Sequence, residues 1–196
     1  MATVIADPTK ADTALPDDAL YEVVDGVIVE HGPMGTYQEL IAGVLFAALF
    51  TYGRTSGRGR ATVETLFDLT QQIGRKRRPD VAFVLTETRS LSEPVDEDGC
   101  WNIVPDLAVE ITSPTNSFHE ITEKISEYFE VGSKQVWVVN PSQRNVYVYE
   151  SETTVRILQL GDTLTAETLL PGFEITLHDL FETDGAGRRD EQPTGE

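Results

Sequence analysis

The stretch PDLAVEITSPTNSFHEITEKISEYFEVGSKQVWVVNP, residues 105–141, decides the fold. Its first part, 106–112, is a short apolar run of the kind that forms a β-strand. Residues 118–131 carry apolar side chains at helical spacing, and Gly132 follows them, which predicts a helix that ends there. Residues 135–140 are nearly all apolar, as in a strand that is covered on both faces. This order of strand, helix and strand predicts a right-handed βαβ unit with parallel strands.

Segments on both sides of this unit complete the predicted architecture. In LYEVVDGVIVE, residues 20–30, an Asp-Gly pair lies between two apolar runs and predicts a β-hairpin. Apolar spacing predicts a helix over 37–52, with Gly53 just beyond its end. Further strands are predicted at 62–69, 79–85, 145–149 and 154–160. The predicted fold class is therefore α/β, a mixed β-sheet flanked by helices, with an N-terminal hairpin and C-terminal antiparallel strands.

The length of 196 residues suits one domain with loose ends. Residues 1–17 lack periodicity and are predicted to be a flexible N-terminal segment, residues 18–182 to be the domain, and 183–196 to be a disordered tail. We see no secretory signal and no membrane-spanning run, so we expect a cytoplasmic protein. The single cysteine, Cys100, excludes an intramolecular disulfide and a cysteine-based zinc site.

Acidic residues strongly outnumber basic ones in this chain. Asp and Glu total 33 and Lys and Arg total 15, which gives a formal net charge of −18. Such a surface repels polyanions at long range, whereas most nucleic-acid-binding proteins carry a basic footprint. Composition therefore argues against a nucleic-acid partner, although it leaves room for carboxylates at a metal site and for a local positive patch.

Glu110 is the unusual residue of its predicted strand. In DLAVEIT, alternation places Glu110 on the same face as Ala108 and Thr112, within an otherwise apolar segment. A carboxylate in such a place is costly unless it is paired or bound to a metal ion. The alternative is a salt bridge near the end of the strand.

Asp80 follows Pro79 at the start of another predicted strand, where proline is tolerated. A Pro-Asp pair alone is weak evidence, since Pro105-Asp106 is a second one. Two carboxylates at neighbouring strand ends could nevertheless hold Mg²⁺ or Mn²⁺, which prefer oxygen ligands. Lys124, at the border of the helix's apolar face, could reach a phosphate or the attacking water. Alternatively, its stem covers the core and its ammonium group lies in water.

A basic run leads directly to Asp80 within QQIGRKRR, a segment predicted to form a turn. A second basic spot surrounds the glycines of residues 54–60. The alternative is a solvated turn that compensates nearby acids. If the fold brings the run close to the acids, its four side chains could hold DNA phosphates: Arg75, Lys76, Arg77 and Arg78.

Several of these motifs together resemble one known family. RPDVAFV at 78–84 and the stretch at 105–141 are similar to the Uma-type family of restriction-endonuclease-like proteins, within the PD-(D/E)xK nuclease superfamily. The family pattern has RPD, then PDL and VE, then a Lys and a Tyr four residues apart, and then Gly and a Trp-Val-Val-Asp-Pro strand. YEVVDGVIVE at 21–30 and LLPGFEITLHDLF at 169–181 also match, so the resemblance covers residues 20–182.

The resemblance implies a restriction-endonuclease-like fold and a Mg²⁺- or Mn²⁺-dependent endonuclease that acts on DNA and leaves 5′-phosphates. It identifies Asp80 and Glu110 as metal-binding acids, with the Ile111 carbonyl as a possible further ligand. The lysine that the superfamily usually has two residues after the second acid is absent at Thr112. Lys124 stands in the place from which this family supplies it, where it would orient or deprotonate the attacking water or stabilise the charge of the transition state.

Glu22 matches another acidic position near the family's site, where it could act through a water. The sequence departs from the family pattern at Gln38, near a position that is often histidine, and at Asn140, where the family has aspartate. Neither change removes a metal ligand that the resemblance implies. The resemblance also suggests a homodimer.

Other kinds of site have weaker support. The histidines at 31, 119 and 178 lack metal-ligand spacing, and the chain has no glycine-rich loop of the nucleotide-hydrolase type. Ser113 lacks the G-x-S-x-G context of a hydrolase nucleophile. Two alternatives to a DNA endonuclease stay open: a nuclease-fold module that binds or regulates a partner without catalysis, and a hydrolase of another phosphodiester.

Overall fold

The computed structural model describes residues 3–5, 20–30, 32–94, 100–114 and 116–182. Within this part of the chain, no helix is long and apolar enough to cross a membrane.

Six strands form a central mixed sheet. They are β4 (Gly59–Val63), β7 (Val81–Leu85), β9 (Leu107–Ile111), β10 (Gln135–Asn140), β11 (Asn145–Ser151) and β12 (Thr154–Leu158). Their order across the sheet is β12-β11-β10-β9-β7-β4. β9 and β10 are parallel and the other neighbours are antiparallel, so the predicted mixed sheet and its C-terminal antiparallel strands are confirmed.

Helix α3 (Phe118–Glu130) connects the two parallel strands and confirms the predicted βαβ unit. Its start is fixed by a capping box. The Ser117 side chain accepts a hydrogen bond from the Glu120 N–H, and the Glu120 carboxylate accepts one from the Ser117 N–H. This pairing satisfies donors that a helix start otherwise leaves exposed, and it sets the register of the face that carries Lys124.

A second sheet packs beside the first. It contains β1 (Thr3–Ile5), β2 (Tyr21–Val24), β3 (Val27–Glu30), β5 (Leu66–Leu69), β6 (Arg75–Arg77) and β8 (Cys100–Trp101), in the order β1-β3-β2-β6-β5-β8. The predicted hairpin is confirmed, with positive φ angles of 51° at Asp25 and 77° at Gly26 in its turn. The remaining elements are α1 (Thr36–Ser56), α2 (Thr70–Ile73), β13 (Thr163–Ala166), β14 (Leu170–Thr176) and α4 (Leu177–Phe181).

The central sheet is covered on both faces, as its apolar strands require. One face packs against α1 in a cluster that includes Leu45, Val109 and Trp137. The other face is shared by α3 and the second sheet. On this face Ala108 packs with the α3 side, while Ala82 packs with the second sheet. The seam between these two coverings lies over the junction of β7 and β9.

Three local predictions need correction. The segment 62–69 is not one strand, because a positive φ of 47° at Glu64 ends β4 and directs β5 into the other sheet. Helix α1 continues through Gly53 to Ser56 and ends before Gly57, which has a φ of 69°. The QQIGRKRR segment is more than a turn, since it contains most of α2 and all of β6.

The predicted N-terminal segment and tail are mostly outside the described residues. Within 1–17, residues 3–5 form β1, which pairs antiparallel with β3. Residues 183–196 lie wholly outside the described part of the chain.

Candidate active site

Asp80 and Glu110 face each other across two neighbouring strands. The register of β7 and β9 pairs Val81 with Val109, which places Asp80 opposite Glu110 at the start of β7 and near the end of β9. Residues opposite each other in an antiparallel pair point to the same face of the sheet. That face is the one under the seam between α3 and the second sheet.

The Asp80 carboxylate is tied to the end of β9. Its Oδ2 accepts a hydrogen bond from the Ile111 N–H at 2.5 Å. The N–H and C=O of one strand residue point toward the same neighbouring strand, so the Ile111 carbonyl is also directed to the Asp80 side. Main-chain and carboxylate oxygens therefore converge at this edge.

Burial, followed by the negative charge of Glu110, raises the pKa of Asp80 to about 7. The Ile111 N–H and the Lys124 ammonium act in the opposite direction, but they do not outweigh the first two causes. A buried carboxyl beside a second carboxylate is a place where additional positive charge would be stabilising.

Asp106 repeats the Asp80 arrangement at the opposite end of the same strand pair. Its Oδ2 accepts from the Leu85 N–H at 2.7 Å, and its Oδ1 accepts from the Thr88 hydroxyl at 2.9 Å. The Lys134 ammonium lies 3.0 Å from Oδ1. Both Pro-Asp pairs thus cap the end of the neighbouring strand, but Asp106 has a lysine partner of its own, whereas Asp80 faces a second acid.

Glu110 is 5% exposed and is held from helix α3. Its Oε1 accepts from the Tyr128 hydroxyl at 2.8 Å, and its Oε2 accepts from the Lys124 ammonium at 3.0 Å. Burial and the nearby negative charges of Glu110 and Glu22 raise the pKa of Tyr128, so it stays a donor. Tyr128 was not among the predicted site residues; the signal for it was its spacing of four residues from Lys124, which puts both on one helix face.

Lys124 lies between two buried carboxylates from different sheets. Its Nζ is 3.0 Å from Glu110 Oε2 and 3.0 Å from Glu22 Oε1. Burial by itself would lower the pKa of Lys124, but the charges of Glu110, Glu22 and Asp80 outweigh burial and raise it. The structure therefore brings together the four predicted side chains, two from the central sheet, one from α3 and one from the N-terminal hairpin.

Two arginines of the predicted phosphate-binding run are engaged inside the protein. Arg77 is 3% exposed and bonds Glu22 and Glu127. Arg75 pairs with Asp25, Glu123 and Glu127.

The other two members of the run lie closer to the surface. Lys76 pairs with Asp68 at 2.8 Å, while Arg78 donates to the main-chain carbonyls of Tyr21 and Glu64. Every one of the four cations therefore already has a protein partner, and the run does not form a free positive rim in this structure.

The oxygen donors at this edge fit a hard divalent cation. Mg²⁺ is commonly held by one or two carboxylates and completes its coordination with waters and substrate phosphates. Among the described residues, no group of three or more His, Cys, Asp or Glu side chains is arranged to hold a metal ion. Asp80, Glu110 and the Ile111 carbonyl would therefore form an open site rather than a closed cage.

Two comparisons with known proteins bear on the family and the fold of this chain. The model of a family called Uma2, "Putative restriction endonuclease", matches residues 11–178, which is most of the chain. The chain belongs to the Uma2 family. No curated protein matches it.

A solved structure has the same fold as this Uma2 protein. It is the crystal structure of "a putative nuclease belonging to DUF820" from Anabaena variabilis, with a TM-score of 0.69 and 19% sequence identity. The match covers 82% of this chain and 89% of the other. The restriction-endonuclease-like fold class predicted for the Uma2 protein is thus confirmed.

Proposed function

We propose that this protein is a Mg²⁺- or Mn²⁺-dependent endonuclease that hydrolyses phosphodiester bonds of DNA and leaves 5′-phosphates. The observation that supports this function most directly is the meeting of Asp80 and Glu110 at adjacent strand ends, with Lys124 bonded to Glu110. Membership of a restriction-endonuclease family favours a nuclease and a nucleic-acid substrate.

Asp80, Glu110 and the Ile111 carbonyl are the proposed metal ligands. A bound cation would lower the pKa of a water ligand and stabilise charge on a phosphate oxygen. Asp80 is already held by the Ile111 N–H, and Glu110 by Tyr128, so both carboxylates are oriented before substrate arrives. Preorganisation of this kind lowers the cost of reaching the reactive geometry.

Lys124 is the proposed electrostatic group of the site. Because its ammonium lies between two carboxylates, it is suited to stabilise negative charge on the phosphate or to orient the attacking water, rather than to remove a proton. Glu22 holds Lys124 from the other side and could reach the reaction through a water.

Contacts from the basic run to DNA phosphates stay a prediction. Since Arg75, Lys76, Arg77 and Arg78 already have protein partners, phosphates would have to share or displace those partners. Of the four, Lys76 combines a surface position with a flexible stem, with 28% of its side chain exposed. The homodimer and the cytoplasmic location also stay predictions.

The decisive test is cleavage of supercoiled and single-stranded DNA by purified protein in Mg²⁺, Mn²⁺ or EDTA. We expect metal-dependent nicking, and a loss of about 100-fold or more in Asp80→Asn, because a metal ligand is removed from the reacting centre. Asp106→Asn is the matched control, since it alters the corresponding cap at the opposite end of β7 and β9. Melting of each variant shows whether it is folded.

The outcomes separate the proposal from its alternatives. A folded, fully active Asp80→Asn protein would reject this site. Stabilisation by Mn²⁺ without DNA cleavage would point to another phosphodiester as substrate, because a ligand that binds the folded state raises its stability. If the protein shows no cleavage and Mn²⁺ does not stabilise it, a non-catalytic module is favoured. The net charge of −18 would suit such a module.

A further inference from the structure

Arg77 lies where the two sheets and helix α3 meet. Its Nη1 donates to Glu22 Oε2 at 2.9 Å, and its Nε donates to Glu127 Oε2 at 2.5 Å. All three residues are buried, with exposed fractions of 3% for Arg77, 1% for Glu22 and 7% for Glu127. The planar guanidinium thus fixes the hairpin strand β2 and the helix α3 relative to β6.

Glu22 passes this constraint to the site. Its second oxygen, Oε1, lies 3.0 Å from the Lys124 ammonium and accepts from the Arg78 N–H at 3.0 Å. Lys124 is 3.0 Å from Glu110 on its other side. The position of the ammonium is therefore set by its attraction to two carboxylates. One of these, Glu22, is held directly by Arg77.

Resting on the proposed function, we propose that Arg77 is a positioning residue, which acts through Glu22 to hold Lys124 in place beside Glu110. The basic run was predicted to contact phosphates, but the burial of Arg77 assigns it to this internal task. If Arg77 lost its charge, Lys124 would be left as the main cation that compensates the charge of Glu22. The ammonium would then move toward Glu22 and away from the reacting phosphate.

Chemistry at this position favours arginine over lysine. Two acceptors from two different elements are bonded by two nitrogens of one rigid plane, whereas a lysine ammonium is a single point on a flexible stem. One guanidinium nitrogen, Nη2, is buried and finds no hydrogen-bond partner among the residues that the structure describes. Burying a charged group with an unbonded nitrogen lowers the stability of the fold. We therefore infer that Arg77 serves to position Glu22, and not only to stabilise the protein.

The test on activity is a double-mutant cycle. We expect Arg77→Met to lower kcat by about ten- to 100-fold with little change in KM, because a small displacement of a catalytic group has effects of this size. In a Glu22→Gln background the same Arg77→Met change should have little further effect, since Arg77 acts through Glu22. Arg77→Lys should not restore kcat.

The control is Glu127→Gln, which weakens the other bond of the guanidinium but leaves the bond to Glu22. It should lower the melting temperature while it largely preserves kcat. An equal loss of kcat in Glu127→Gln and Arg77→Met would show a general structural effect and overturn the proposal. So would an Arg77→Met protein with unchanged kcat at a temperature where it is folded.

A second readout is independent of nuclease activity. The chain has four lysines, at positions 10, 76, 124 and 134, so ¹⁵N–¹H spectra of the ammonium groups are simple and Lys124→Met assigns the signal. We expect a slowly exchanging Lys124 ammonium in the wild type and in Glu127→Gln, and a broadened or shifted one in Arg77→Met. An unchanged signal in Arg77→Met would overturn the inference, whereas a changed signal without any DNA cleavage would leave it standing and reject only the nuclease.

Discussion

At the scale of single residues, Asp80 shows how burial and charge compete in one carboxyl group. The Ile111 N–H and Lys124 favour its ionised form, but burial and the neighbouring Glu110 favour the protonated form and raise its pKa to about 7. An acid whose pKa is higher in the folded state than in the unfolded state stabilises the fold at low pH. This contribution is lost as pH rises from about 4 to about 7.

We therefore expect metal-free wild-type protein to lose stability relative to Asp80→Asn between pH 4 and pH 8, by up to roughly 4 kcal/mol. The asparagine keeps an acceptor for the Ile111 N–H but cannot ionise. Urea unfolding of both proteins in EDTA across this pH range measures the difference, in which titrations shared by both proteins cancel. A difference that stays constant with pH would contradict the raised pKa.

Residue-level prediction from the sequence succeeded where a residue was out of place for its own element. Glu110 is a carboxylate within an apolar strand, and that oddity alone indicated a paired or metal-binding group. The burial of Arg77 could not be predicted, because it depends on Glu22, 55 residues away in the chain. The role of Tyr128 was not predicted either, because a tyrosine on the apolar face of a helix is typical of a core residue and its bond to Glu110 is formed only in the folded chain.

At the scale of elements, glycines determine how closely α1 approaches the central sheet. A Cβ at Gly59 would overlap the Val84 carbonyl oxygen and the Phe83 ring, and one at Gly53 would lie 2.6 Å from the Gly59 carbonyl oxygen. This close crossing explains why α1 continues through Gly53, although a glycine after an apolar periodic segment usually marks a helix end.

Gly59→Ala should consequently destabilise the protein by roughly 2 kcal/mol or more, since the atom it would meet belongs to the main chain of β7 and has little freedom to move. Gly161→Ala is the matched control, because a Cβ at that position meets nothing within 4 Å. Thermal melting of the two variants gives the comparison. Equal melting temperatures would show that β4 can move away from β7 without cost.

Element prediction worked best for long or strongly patterned segments. The hairpin, the two long helices and the βαβ unit were predicted from local patterns, a turn pair between apolar runs or apolar residues at regular spacing, and the folded chain keeps the structure that these patterns favour. The division of 62–69 into β4 and β5 was not predictable, because the left-handed φ at Glu64 occurs in a residue that usually avoids it. Strands of two or three residues, such as β6 and β8, are too short to show a period of two.

At the scale of the whole molecule, the net charge of −18 opposes the approach of DNA. Salt screens this repulsion at the same time as it weakens any phosphate contacts, so the two effects partly cancel. The cations nearest to the site are also already paired within the protein. DNA binding should therefore depend less on salt than it does in basic nucleases.

We expect a slope of about −2 or shallower for log affinity against log salt concentration. Each phosphate contact adds about −0.9 to this slope, so a protein with many contacts has a much steeper one. Fluorescence anisotropy of a labelled duplex, with Ca²⁺ in place of Mg²⁺ to keep it uncut, measures the slope. Lys76→Gln should flatten it by about one if Lys76 contacts a phosphate.

Lys134→Gln is the control, because it removes the same charge near Asp106, at the other end of the strand pair. A slope near −6, or an equal effect of both lysine variants, would contradict the expectation that few, local cations meet the DNA.

The contribution of Glu22 from the N-terminal hairpin has a consequence for synthesis in the cell. Glu22 leaves the ribosome first, Asp80 follows, and Lys124 and Tyr128 appear only when α3 has been translated. Incomplete chains that already carry Glu22 and Asp80 therefore still lack Glu110 and the Lys124 ammonium. A proteolytic fragment that has lost the hairpin keeps Asp80 and Glu110 but has lost the anchor of Lys124. The four side chains of the candidate site are thus all present only after α3 has been translated, and loss of the hairpin removes Glu22 from them.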